Sequence, residues 1–223
     1  MGKLPLNGKA TMPDAEQPDT RDASYADRLV TLGGARWKRV LDVQRPYRWN
    51  LRRIQLGRTL DVGCGIGRNL LNLGPDSVGV DHNEASVAIA RGRGLRAFTS
   101  EEFFGDGGSR GREGAFDSAL VAHVVEHMDG PTAREVIASY LPFIRPGGKV
   151  LFICPQERGY ASDSTHVRFV DIAGLRELAG SLGLQVERSY SFPLPRAFGR
   201  AFTYNEFCVL ARTPSSVAPA PTD

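Results

Sequence analysis

The stretch "LDVGCGIGRN", residues 60–69, constrains this chain more than any other. An apolar run carries Asp61 at its end, and Gly63, Gly65 and Gly67 follow at two-residue spacing. Glycines so placed let the backbone turn sharply after a strand and let a ligand lie directly against it. The next apolar run, "VGV", closes on Asp81, where a carboxylate can accept both hydroxyls of a ribose. A dinucleotide loop spaces its glycines G-x-G-x-x-G; here the third comes one residue early and Arg68 takes the usual place. The compact form suits a ligand with a ribose but no phosphates. Two other readings stay open on these residues: a dinucleotide site, and a glycine turn that merely packs strand on helix.

From residue 58 strands and helices alternate. Strand "RTLDVGC" leads to a short helix from about Gly67, then strand "SVGVD", helix "NEASVAIARGR" and strand "LRAFTS". Strand "AFDSALVAH", helix "PTAREVIASYLPFI", the turn "RPGG" and strand "KVLFICP" continue the pattern. Such alternation predicts a parallel sheet covered by helices on both faces. After helix "DIAGLRELAGSLG", the strands "LQVERSYSF" and "YNEFCVLAR" come without an intervening helix, so they pair as an antiparallel, hairpin-like edge. "GDGGSRGREG" reads as a surface loop. Its arginines lack the interleaved aromatics of a nucleic-acid site.

The organisation expected is a disordered segment (1–21), an N-terminal helical lid (22–56) broken at Gly33-Gly34 and Pro46, the main domain (57–212) and a disordered tail (213–223). With 41% hydrophobic and 24% charged residues the chain is an ordinary globular protein. A net charge of +3 is too small to argue for nucleic acid or an anionic membrane. Cys64, Cys154 and Cys208 are scattered in apolar runs, which suggests reduced core thiols. The opening residues have no apolar leader and no later run is long enough to span a bilayer, so a cytoplasmic location is expected.

"LDVGCGIG", "VGVD", "FDSALVAHVVEHM" and "LPFIRPGGKVLFICP", in that order, resemble the successive motifs of class I S-adenosylmethionine-dependent methyltransferases. The segment "HVRFVDIAGLRELAGSLGLQVERSYSF" is similar to the small-molecule subgroup related to the ubiquinone-biosynthesis enzymes. The resemblance covers roughly residues 58–212. It implies a Rossmann-like, doubly wound α/β fold, whose seven-stranded sheet is mostly parallel with an antiparallel last strand. It also implies that Gly63, Gly65 and Gly67 lie along the methionine part of S-adenosylmethionine, with Asp61 toward its amino group. Asp81 would hold the ribose and His82 would flank the adenine, with Ser100 or Glu101 at the adenine amino group. Ala122 and His123 would flank the methyl group. S-adenosylhomocysteine would be the product.

Methyl transfer from a sulfonium is an in-line displacement, driven mainly by proximity and orientation. A base is required only where the acceptor holds a proton at neutral pH. The candidates are His123, His127, Tyr160 and His166, although the first reading of each histidine is a structural or pocket-lining side chain. His127 and His166 are the catalytic candidates carried forward. If a helical turn starts at His123, then His123, Glu126 and His127 share one face and, with His166, form a set of divalent-metal ligands. Relatives that bind a divalent ion carry a Glu-x-x-Glu-His turn and a later His; this chain has His123 at the first Glu.

The acceptor is expected to be a small molecule, methylated at oxygen. Tyr25, Trp37, Tyr47, Trp49, Phe192, Phe198 and Phe202 are the aromatics that can enclose an apolar or aromatic acceptor, or simply form core under a lid. Arg168, Arg196 and Arg200 leave room for an acidic group on it. No nucleic-acid partner and no membrane insertion are expected. The competing functions are an NAD(P)-binding oxidoreductase and a non-catalytic protein that retains the fold.

Overall fold

The computed structural model describes residues 44–105 and 112–215. The helices expected before Pro46, with Tyr25 and Trp37, lie outside the described residues, as do most of the Gly-rich loop and of the tail.

The described residues open on α1 (Arg45–Ile54), where Pro46 occupies the first turn and pre-sets the backbone for a helix. Its last carbonyls are taken by the Lys149 ammonium, which donates to Ile54 O at 2.7 Å and Gln55 O at 3.0 Å. Then follow β1 (Thr59–Val62), β2 (Val78–Asp81), α2 (Glu84–Gly92), β3 (Ala97–Thr99) and α3 (Ser100–Phe104). The second half holds β4 (Phe116–Ala122), α4 (Gly130–Tyr140), β5 (Ile144–Pro155), α5 (Glu157–Tyr160), α6 (Ile172–Ser181), β6 (Gln185–Phe192) and β7 (Glu206–Arg212). Side-chain caps start the longer helices where the sequence places Asn or Asp: Asn83 for α2, Asp129 for α4 and Asp171 for α6.

The seven strands order as β3-β2-β1-β4-β5-β7-β6. The first five pair in parallel, and β7 runs antiparallel to both β5 and β6. The expected α/β sheet is present. The expected antiparallel pair is too, with the last strand, β7, inserted between β5 and β6 as the resemblance implies, and β6 forms the edge. One expectation fails: the segment after Gly67 makes turns and a short 3₁₀ helix, Leu70–Asn72, in place of an α-helix. Pro75 lies only three residues beyond that turn, too close for a longer helix to continue.

Alternation along the central strands builds a core on each side. Ala119 and Val121 of β4, Val150 and Phe152 of β5, and Val209 and Ala211 of β7 face α4 and α6, meeting Ile137 and Leu175. Leu120, Leu151, Ile153 and Leu210 face the other way and bury Leu51 and Ile54 of α1. The sheet thereby fixes α1 over the carboxyl ends of β4 and β5, where a crevice forms. All three cysteines are buried and outside any disulfide. No helix among the described residues is long and apolar enough to cross a membrane.

Candidate functional site

The glycine loop is held by backbone bonds to the neighbouring strand. The amides of Gly63 and Cys64 both donate to Val80 O, at 2.8 and 3.1 Å. Gly63, Gly65 and Gly67 all have positive φ, at 72°, 52° and 80°. A Cβ on Gly63 would stand 2.4 Å from Val124 Cγ2, so the first glycine is required by both conformation and space.

Asp81 ties the loop to the next turn. Its carboxylate accepts Gly65 N through Oδ2 and Asn83 N through Oδ1, each at 2.8 Å. Asp61 is 1% exposed, and its Oδ2 has no hydrogen-bond partner. Burial, helped by the Asp81 charge, pushes the Asp61 carboxyl up to about 8. An orphaned buried carboxylate oxygen beside a glycine loop is suited to receiving a cationic or hydrogen-bond-donating ligand group.

The remaining residues expected at the cofactor lie near this end. His82 is half exposed, with Nδ1 at 3.7 Å from Asp81 Oδ1. Ser100 opens α3, with its hydroxyl 3.5 Å from that of Tyr140, and Glu101 beside it is exposed.

The opposite wall follows β4. His123 has φ +59°, an unfavourable setting for a residue with a Cβ, and its ring is gripped on both sides. Nε2 lies 2.9 Å from Glu206 Oε1 and Nδ1 lies 3.3 Å from Glu126 Oε1. Burial disfavours a charged ring, but the two carboxylates outweigh it and raise His123 to about 10. Both nitrogens therefore carry protons at neutral pH, so this ring is not a base. The expected helical turn is replaced by a 3₁₀ turn that starts only at Val125, because the left-handed His123 ends the run from β4. The four-ligand set is split accordingly, with His123 turned toward Glu206.

Glu126, His127 and His166 do come together. One ligand atom from each lies within 4.8 Å of the others. Glu126 is fully buried, and its Oε1 lacks a hydrogen bond, although His123 lowers its pKa against the effect of burial. His166 Nδ1 lies 2.8 Å from Tyr160 O and must donate there, which leaves Nε2 as the basic nitrogen, 4.0 Å from Glu126 Oε1. His127 Nδ1 lies 3.2 Å from both Thr165 O and Thr165 Oγ1. The Thr165 hydroxyl already donates to Asp163 Oδ1, so His127 Nδ1 carries the proton and Nε2 the lone pair. Burial pushes the His127 pKa down, which keeps this ring neutral. Tyr160 stacks on the His166 ring at 5.2 Å.

Between the two walls lies a cavity of about 310 Å³. Of the residues expected at the site, Gly63, Gly65, Ala122, His123, His127 and His166 line it. So do Tyr47, Asn50, Tyr204, Asn205 and Glu206. Among the expected aromatics, Tyr47 alone of those described lines the cavity; its hydroxyl donates to Tyr204 O. Phe192 is core, with Trp49 stacked on its outer side at 6.3 Å, and Phe198 is exposed. Arg168, Arg196 and Arg200 do not line the cavity, and Arg196 is paired with Glu157.

Glu206 was not among the expected site residues. Its one sequence signal is an acid opening an otherwise apolar strand, "NEFCVLAR". Asn205 and fully buried Gln156 support it: Gln156 Nε2 donates to Glu206 O, and Asn205 Nδ2 donates to Gln156 Oε1.

Comparison with known proteins agrees with this architecture. Residues 34–189 match the family model described as a methyltransferase domain. A ubiquinone biosynthesis O-methyltransferase of Bordetella avium is 32% identical over 110 residues, 44% of this chain and 43% of that protein. The match thus spans less than half of that relative's length. Two solved structures share the fold. A SAM-dependent methyltransferase from Archaeoglobus fulgidus has a TM-score of 0.59 at 19% identity, covering 76% of this chain and 94% of its own. One from Mesorhizobium loti has a TM-score of 0.52 at 16% identity, covering 74% and 97%.

Proposed function

The chain belongs to the methyltransferase-domain family, and from that premise we propose that it methylates a small-molecule acceptor, at oxygen, with S-adenosylmethionine as donor. The observation that carries this reading is the single cavity joining the glycine loop to a histidine wall. When bound, the cofactor supplies an electrophilic methyl group on a sulfonium.

The residues present suit such a ligand. Gly63 and Gly65 line the cavity and put no side chain between their backbone and a ligand. Asp81 retains lone pairs for a ribose after accepting two amides. Asp61 offers an unpaired buried oxygen toward an amino group. His82, Ser100 and Glu101 are assigned to the adenine end and Ala122 to the methyl end, with Gly67 completing the loop. We assign α1, which lends Tyr47, Asn50 and Leu51 to the cavity lining, to the acceptor side. The oxidoreductase alternative gives way to the family membership.

His127 is the base we assign for a hydroxyl acceptor. Its Nδ1 is fixed by Thr165, the ring is held neutral, and the residue lines the cavity. His166 adds a second basic nitrogen beside it, with ring centroids 4.8 Å apart. A second reading has support of its own: Glu126, His127 and His166 together offer one carboxylate and two imidazole donors, a fitting set for a divalent ion that would orient an acceptor oxygen.

The test is transfer of labelled methyl from S-adenosylmethionine to a panel of phenols, hydroxy acids and amines, before and after exhaustive chelation. Labelled ether or ester supports O-methylation, and label confined to amines overturns it. Activity unchanged by chelation overturns the metal-assisted reading and leaves His127 as base.

A further inference from the structure

Neither the glycine loop nor the base explains the setting of the His123 ring in the cavity. It is held in a left-handed backbone conformation between two carboxylates that arrive from different parts of the chain. Glu126 follows it by three residues, whereas Glu206 comes from β7 on the far side of β5. Such a setting, costly to the backbone, persists where surrounding contacts over-determine it. The His123 side chain is 42% exposed, and Glu206 lines the same cavity as Gly63 and Gly65. Arg68 is the one arginine or lysine among the lining residues.

We propose that Glu206, acting with His123 and Glu126, is a specificity-determining residue that favours a cationic ligand over its neutral counterpart at the methyl-transfer point. The inference rests on the proposed use of S-adenosylmethionine. The sulfonium of the donor is positive, and the thioether of S-adenosylhomocysteine is neutral. A protonated ring between two carboxylates leaves the group with one net negative charge, and a neutral ring would leave it with two. In either state it attracts the sulfonium and does nothing for the thioether. Glu206 is 9% exposed, and at a site so largely removed from water this attraction is stronger than in bulk water. The group would thereby oppose inhibition by the product.

Calorimetric titration with S-adenosylmethionine and S-adenosylhomocysteine, in EDTA, tests this on the whole chain. Glu206→Gln keeps the hydrogen bond to His123 and removes the charge. It should weaken S-adenosylmethionine binding about tenfold relative to S-adenosylhomocysteine. His123→Asn is the second variant, and Asn tolerates the positive φ. Both carboxylates remain in this variant, so the preference for S-adenosylmethionine should be kept or enlarged. For Glu206→Gln, equal losses for both ligands, or an unchanged ratio in a protein that melts as the parent does, overturn the proposal. If Glu206→Gln does not fold, His123→Asn decides: a preference for S-adenosylmethionine that falls in it overturns the proposal. Failure of the parent to bind either ligand would instead overturn the cofactor assignment.

Discussion

The two walls of the cavity are built on different physical principles. The glycine wall is backbone: strand-end amides paired to Val80, positive-φ glycines, and one carboxylate bonding two further amides. The histidine wall is side chain, in which each ring is oriented by a partner: Thr165, 38 residues away, for His127, Glu206, 83 residues away, for His123, and the nearer Tyr160 carbonyl for His166. A backbone site accepts one ligand framework and changes little when side chains vary. A side-chain wall can be re-tuned residue by residue, which suits the part of a methyltransferase that meets the acceptor.

The comparison can be broken at several points. The largest effect is expected from Asp81→Ala, which frees two amides and removes the proposed ribose acceptor. Affinity for S-adenosylhomocysteine should fall at least about 100-fold by calorimetry, since hydrogen bonds to a charged group are among the strong ones. A loss below tenfold would mean that the glycine wall is not held as described. On the other wall, His127→Gln should lower turnover about 100-fold and leave cofactor affinity within a factor of two. An equal fall in both would make His127 part of the cofactor site.

Gly63→Ala sets a methyl group against Val124 in a left-handed backbone setting. The expected cost is about 1–3 kcal/mol in urea unfolding. A neutral result would show that the loop relaxes freely.

The smallest effect concerns pH. The folded Asp61 carboxyl is raised above its ordinary value to about 8, so the folded state holds this proton more tightly than the unfolded chain does. Stability of the ligand-free protein should therefore fall as pH rises from the ordinary carboxylate range to about 8. His123, raised to about 10, adds a contribution that is complete below its ordinary value and lost as pH climbs toward 10. Asp61→Asn should remove the first contribution and keep the second, a difference of about 2–4 °C in Tm per kcal/mol for a domain of this size. An unaltered pH profile in Asp61→Asn would contradict the buried, proton-holding carboxyl.

The same contrast explains what was legible in the sequence. Glycine spacing, the acid closing each early strand and the alternation of strands and helices are local patterns. They indicated the sheet, its antiparallel ending and the residues of the glycine wall. The partners of His123 and His127 are not local. His123 and Glu206 are 83 residues apart and meet only because β7 inserts beside β5. The sequence suggested a helical turn at His123 and a ligand set including it. The structure redirects that ring, since a left-handed residue after β4 cannot start the turn. The aromatics expected over the acceptor were likewise beyond local reading: Phe192 went to the core and Tyr204 to the cavity.

Titration of the protein with S-adenosylhomocysteine, alongside Asp81→Ala and with NADP as a control, tests the central claim most directly. The account predicts one binding event per chain, lost in the variant and absent for NADP. No heat with S-adenosylhomocysteine, or equal binding by the Asp81→Ala variant, would contradict it.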